Sequence, residues 1–231
     1  MVKDTTREKL LALRDKYGTE TAIEVARKSL KVKASGGDFK KQFNGEVCEV
    51  VLEMILQAMI SQKHPDWFYI KGLILPDAES NNHEFLTEID FVLFTKECVY
   101  CIECKSYAGD KTITGKGTIN LANGDSRDVY KQNSMHLEVL DKMIKAFSIS
   151  KRRKYKMLLF NFSSGKCVDL RKVEDARLFP LVDENNFLQK IICSGDTNWD
   201  IVGLKEAKPK FEKFSAMTRN KHLQYVKSLH G

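Results

Sequence analysis

Four charged side chains interrupt a strongly apolar stretch at alternate positions. Glu88 and Asp90 lie in T-E-I-D-F-V-L-F-T (87–95), and Glu103 and Lys105 lie in C-V-Y-C-I-E-C-K (98–105). The β-rich runs Ile89–Thr95 and Cys98–Ile102 are separated only by Lys96-Glu97, so the segment predicts a hairpin. If Thr95 and Cys98 flank the turn, Asp90 faces Glu103 and Glu88 faces Lys105, and alternation puts all four on one side. Opposed residues have Cβ atoms roughly 4.5–5.5 Å apart, where two carboxylates repel unless they share a cation. All-oxygen donors suit a hard divalent ion, Mg²⁺ or Mn²⁺. The apolar neighbours Phe91, Leu93, Tyr100 and Ile102 imply a well-covered sheet, where charge is costly unless paired or bound. The alternative is a solvent-facing sheet on which Glu88 merely neutralises Lys105.

The elements that would position this hairpin follow from periodicity. A helix over 45–61 comes first, then a strand near Trp67–Leu75, the hairpin itself, a glycine-containing loop over 108–126, a helix over 128–147 and a strand over Tyr155–Phe162. The loop is either an ordinary connection or a segment that closes over substrate, and it carries no phosphate-binding G-x-x-x-x-G-K-[ST] motif. Ahead of these, residues 4–33 read as two short helices. Asp4 or Thr5 caps the first, Gly18 breaks it, Thr19 caps the second, and Ala34-Ser35-Gly36-Gly37 is a linker. Residues 1–36 thus form an N-terminal helical segment and 37–231 the main domain. The N-terminal segment could cap the core, touch nucleic acid, or mediate a homodimer or a partner contact. Beyond 165, Leu178–Val182 and Leu188–Cys193 read as strands, followed by Trp199–Val202 and a basic helix over about 204–229.

An Asp followed one strand later by Glu-x-Lys resembles the active site of the PD-(D/E)XK nuclease superfamily, and its surroundings resemble the nuclease-related domain (NERD) branch. Gly45-Glu46 opens the amphipathic run V-C-E-V-V-L-E-M-I-L-Q-A-M-I, similar to that branch's first helix. Ile89-Asp90 and Ile102-Glu103-Cys104-Lys105-Ser106 match its central hairpin, with Gly109 and Gly115 following. Gln132 opens Q-N-S-M-H-L-E-V-L where the family carries a glutamine in its second core helix, but Asp128-Val129-Tyr130 replaces the Asn-Pro often found before it. The likeness covers roughly Gly45 to Phe162. It implies an α/β, restriction-endonuclease-like core: an α-β-β-β-α-β mixed sheet with helices on both faces.

The resemblance also implies metal-dependent phosphodiester hydrolysis, with DNA as substrate. Asp90, Glu103 and the backbone carbonyl of Cys104 would hold the metal, which lowers the pKa of bound water and polarises the phosphate. Lys105 would orient or deprotonate the attacking water, or steady the developing charge. Glu46 is a further acid. Glu88 is either a ligand or the partner of Lys105, and Gln132 either donates to substrate or water or is an exposed helix residue.

Charge distribution agrees with that chemistry. The 231 residues are 42% hydrophobic and carry a formal +7. Residues 45–144 hold 9 basic and 16 acidic side chains, while 145–172 hold 9 and 1, centred on Lys151, Arg152, Arg153 and Lys154. An acidic pocket with a basic rim suits metal and phosphate together; a solvated loop is the other account of those four residues. Cys98, Cys101 and Cys104 have C-x₂-C-x₂-C spacing, but on a strand Cys101 faces away from the other two, so the expectation is reduced thiols rather than a cluster. The N-terminus lacks an apolar signal region and no run reaches membrane-spanning length, giving a soluble, cytoplasmic protein with no membrane partner as the expectation. No helix-turn-helix or zinc-finger reader is evident, so little sequence selectivity is expected.

Overall fold

The computed structural model describes residues 5–31, 37–76, 86–96, 98–107, 109–146, 155–163, 165–174, 180–192, 205–213 and 215. The first elements are helices α1 (Thr6–Tyr17), α2 (Thr19–Lys31) and α3 (Gly37–Gln62) and strands β1 (Phe68–Pro76), β2 (Leu86–Phe94) and β3 (Val99–Lys105). Three short strands follow, β4 (Lys111–Ile113), β5 (Thr118–Leu121) and β6 (Ser126–Asp128). After them come α4 (Val129–Ala146), β7 (Tyr155–Asn161), β8 (Cys167–Asp169), β9 (Leu181–Val182), α5 (Phe187–Ile192) and a helix α6 over 205–213. The series α3-β1-β2-β3-α4-β7 is the expected α-β-β-β-α-β order. One sheet runs β1-β2-β3-β7-β9 and a second runs β6-β5-β4-β8. The first is mixed, antiparallel from β1 to β3 and parallel between β7 and β9. The fold is α/β with a restriction-endonuclease-like core and an N-terminal helical pair.

Two compact units divide the chain. One contains Asp66–Glu103, Lys131–Leu158 and Ser194–Gly231. There β2 and β3 pair as Phe91↔Ile102, Val92↔Cys101, Leu93↔Tyr100 and Phe94↔Val99, the register expected from a turn flanked by Thr95 and Cys98. Thr95 clamps that turn. Its N–H donates to the Cys98 carbonyl at 3.0 Å, and its hydroxyl oxygen accepts the Cys98 N–H at 3.0 Å. Phe91, Val92, Leu93, Phe94, Val99, Tyr100, Cys101 and Ile102 are all buried, so both faces of the hairpin are covered. Phe68 stacks on its ladder partner Phe94, which also packs near Phe211 of α6.

The other unit contains Met1–Pro65, Cys104–Tyr130 and Leu159–Cys193. Thr5 and Glu8 form a reciprocal capping box at the start of α1, and Gly18, at φ 89°, ends it. The structure departs from the sequence expectation here in three places. The first core helix begins at Gly37, not 45, because Gly45 is tolerated mid-helix at a cost of about 1 kcal/mol. The segment 108–126 is not a plain loop: β4, β5 and β6 form a small meander, with Ile113 and Ile119 buried and Gly117 and Gly124 at positive φ in its turns. Its strands of three or four residues are too short to show a period. The expected strand over Leu188–Cys193 is helical in its described part, Phe187–Ile192, and residue 193 lies outside the described residues. Asp183 accepts the N–H groups of Asn185 and Asn186, and the buried residues are Phe187 and Ile191, a helical spacing of four. The stretches 32–36, 193–204 and 216–231, and with them Trp199–Val202, most of the expected linker and much of the expected C-terminal helix, lie outside the described residues.

Candidate active site

In the unit built on β1, β2 and β3, the described ladder between β2 and β3 ends at Phe91↔Ile102. One further step of the same register sets Asp90 across from Glu103. Asp90 is partly exposed, whereas Glu103 is only 1% exposed. A common electrostatic effect links the two: burial, then the charges of Glu103 and Asp90, push the Cys101 thiol well above its ordinary pKa. Glu88 is exposed and pairs with Ile74 on β1. Gln132, on α4, is exposed as well.

Two residues that sequence reading did not assign to the site meet this hairpin from α4. Asn133 accepts the Cys101 thiol at 3.1 Å and donates to the Leu158 carbonyl at 3.2 Å. His136 Nδ1 lies 3.3 Å from Glu103 Oε2, and both side chains are buried. Their signal in the sequence is positional. Val129, Asn133, His136, Val139, Leu140 and Ile144 form the buried stripe of α4, and two of its members are polar. Gln132 sits beside that stripe, not on it.

On its other side Asp90 faces a glycine. Lys71↔Phe91 and Leu73↔Ile89 flank the position, so Gly72 stands across from Asp90, with φ 60°. The β1–β2 ladder passes over this position, and Ser215 bonds the strand on either side of it. Its hydroxyl accepts the Ile74 N–H at 3.1 Å and donates to the Gly72 carbonyl at 3.2 Å. No side chain from position 72 crowds Asp90.

In the other unit, Cys104 and Lys105 end β3 half-buried. The Lys105 carbonyl accepts the Phe162 N–H at 3.3 Å and faces the Cys48 thiol of α3 at 3.6 Å, which fixes the backbone of this lysine. Glu46, two residues before Cys48, accepts the N–H of Arg7 in the first turn of α1 at 3.2 Å. Lys111, 3% exposed, donates to Ser163 at 2.5 Å, and burial lowers its pKa. Lys151, Arg152, Arg153 and Lys154 lie outside the described residues.

Among the described residues no group of three or more His, Cys, Asp or Glu is arranged to hold a metal. Two carboxylates and a carbonyl fall below that count, yet Mg²⁺ commonly takes one or two carboxylates and keeps several waters. The oxygen donors of Asp90, Glu103 and Cys104 therefore fit such an ion in kind. No helix of the described residues is long and apolar enough to cross a membrane.

No curated protein and no solved structure matches the chain at a significant level. The profile of the nuclease-related domain family matches residues 42–161, a span that takes in most of α3, then β1, the β2–β3 hairpin, the meander, α4 and β7. That match covers just over half of the sequence, and the chain belongs to the NERD, or nuclease-related domain, family.

Proposed function

We propose that this protein is a Mg²⁺- or Mn²⁺-dependent deoxyribonuclease that hydrolyses phosphodiester bonds, serving DNA defence, repair or the processing of mobile elements in the cytoplasm. The observation that carries the reading is the hairpin register in a nuclease-related domain. Continued by one residue, it opposes the buried Glu103 to Asp90. Two acids at that spacing are destabilising unless a cation joins them, and Asp90, Glu103 and the Cys104 carbonyl are the residues that would hold it. The bound metal supplies Lewis acidity, activating a water and polarising the phosphate.

The remaining roles belong to the chain. Lys105 follows Glu103 by two on one strand, so it projects to the same side, where its ammonium orients the attacking water or steadies charge on the phosphate. Ile102 and Cys101, fully buried, keep water away from the inner end of the pair. Lys151, Arg152, Arg153 and Lys154 would grip the DNA backbone, and Gln132, exposed on α4, would contact substrate.

A second reading, a binding or interaction module that needs a partner for activity, draws on one observation. Glu46 already accepts a hydrogen bond from α1, so the N-terminal helices engage an acid that the family resemblance assigns to the site.

Cleavage of supercoiled plasmid and of linear single- and double-stranded DNA, with Mg²⁺, Mn²⁺ or EDTA, tests the proposal alongside Asp90→Ala and Lys105→Ala. Metal-dependent cutting lost in both variants is expected. Cutting that persists in both would end the assignment. DNA binding without cutting in the unaltered protein would favour the partner-dependent module.

A further inference from the structure

We infer that His136 is a positioning residue for Glu103: its imidazole holds the Oε2 side of that carboxylate and so sets how the acid presents itself to a hard divalent cation. The inference rests on the metal-site reading above and adds to it a residue outside the Asp, Glu-x-Lys pattern.

The placement comes from two matched rungs. Cys101 and Glu103 are two apart on β3 and therefore share a face, separated by roughly 6.6 Å along the strand. Asn133 and His136 are three apart on α4 and share the helix's buried stripe, separated by about 4.5 Å along its axis. The first rung joins Cys101 to Asn133 at 3.1 Å, and Asn133 continues to the Leu158 carbonyl. With the helix pinned there, the second rung brings His136 Nδ1 to 3.3 Å from Glu103 Oε2. His136 is 2% exposed and Glu103 1%, so solvent takes little part in this contact.

Chemistry narrows what the contact does. An imidazole can present an N–H at Nδ1 whether neutral or protonated. The approach has ion-pair distance without hydrogen-bond geometry, a state that a small turn of either group converts to a hydrogen bond. A buried polar ring on a largely apolar helix face is costly unless it meets a polar partner, and the carboxylate it meets is a proposed metal ligand. Groups that orient a ligating carboxylate in this way typically change metal affinity by about 10–100-fold when removed.

The test measures Mn²⁺ binding to the full chain without DNA, by electron paramagnetic resonance, with Mg²⁺ competition and circular dichroism on each variant. Asn places its amide N–H where His136 carries Nδ1, whereas Gln places it near Nε2. His136→Leu and His136→Gln should each weaken Mn²⁺ binding by about 10–100-fold, and His136→Asn should restore most of it. Glu103→Gln should abolish the site. If Glu103→Gln removes binding but Leu and Gln at 136 leave it intact, the positioning role is wrong and the metal site stands. Asn no better than Gln, with both folded, also overturns it. If Mn²⁺ binding survives Glu103→Gln, or the unaltered protein binds none, the metal-site reading fails and takes this inference with it. Should the leucine variant not fold, the Asn and Gln pair alone decides the matter.

Discussion

Two buried glutamates, one in each unit, are held in different ways. Glu53 on α3 is 4% exposed and receives both arms of Arg7, at 2.6 and 3.1 Å, so one permanent cation engages both of its oxygens. Glu103 on β3 is more deeply buried and has the imidazole of His136 beside its Oε2. A bidentate guanidinium is the arrangement of a carboxylate that fastens two helices together. A neighbouring imidazole, which can turn, suits a carboxylate that is also to take a metal. Burial alone therefore does not set apart the acid proposed to bind metal; the kind of group beside it does.

The largest effect that would sharpen this contrast is on activity. Glu103→Gln should lower single-turnover DNA cleavage by at least about 10²-fold while leaving the denaturation midpoint near that of the unaltered protein. Glu53→Gln should leave the cleavage rate of folded protein intact. Equal loss of cleavage in both would erase the distinction. Next comes Arg7→Ala, which strands Glu53 in a covered site. Because Arg7 is itself 44% exposed, the loss belongs at the lower end for a broken pair, about 2–3 kcal/mol in urea unfolding.

A smaller change is expected from Ser215→Ala. The Ile74 N–H and Gly72 carbonyl lose their bridge, and denaturant titration should show about 1–2 kcal/mol of destabilisation. Unchanged stability there would mean that β1 needs no such clasp around Gly72.

The smallest effect is a pH dependence at Lys111. Burial lowers its folded pKa below the 10.5 of an ordinary lysine, so in the window between the two values the unfolded chain binds more protons than the folded one. Stability then rises with pH across that window, and the penalty of the buried charge is fully present below it. Urea midpoints of the unaltered protein and Lys111→Met should converge, or shift in favour of the lysine, as pH rises towards 10.5; a constant gap would refute the burial effect.

The hairpin was legible because alternating charges on apolar runs and a two-residue turn determine a register, and that register holds from Phe91↔Ile102 to Phe94↔Val99. The two N-terminal helices were equally plain, since Thr5 and Gly18 carry their own stop and start chemistry. What could not be read depends on packing. Asn133 and His136 look like ordinary polar residues until the face of α4 is known, and Gly72 looks like any strand glycine until Asp90 is found opposite it. Phe187–Ile192 was misread because six residues hold too few periods to separate a strand from a helix, and the Asp183 turn that starts it is a tertiary-independent signal lying just outside the apolar run.

The meander between β3 and α4 has a consequence for the order in which the protein assembles. β4, β5 and β6 pair with near neighbours in the chain and can form early. The fourth strand of that sheet, β8, joins β4 in parallel through Lys111↔Cys167, with α4 and β7 lying between them in sequence. Lys166 also donates to Asp110 across a separation of 56 residues. Closing such a distant loop costs entropy before any contact rewards it, so β8 should dock late in folding and release first in local opening. The Leu170 N–H, bonded to the Ile113 carbonyl at 2.9 Å, is the reporter, and its hydrogen exchange should outpace that of the Gly124 N–H bonded to Leu121 within the local meander.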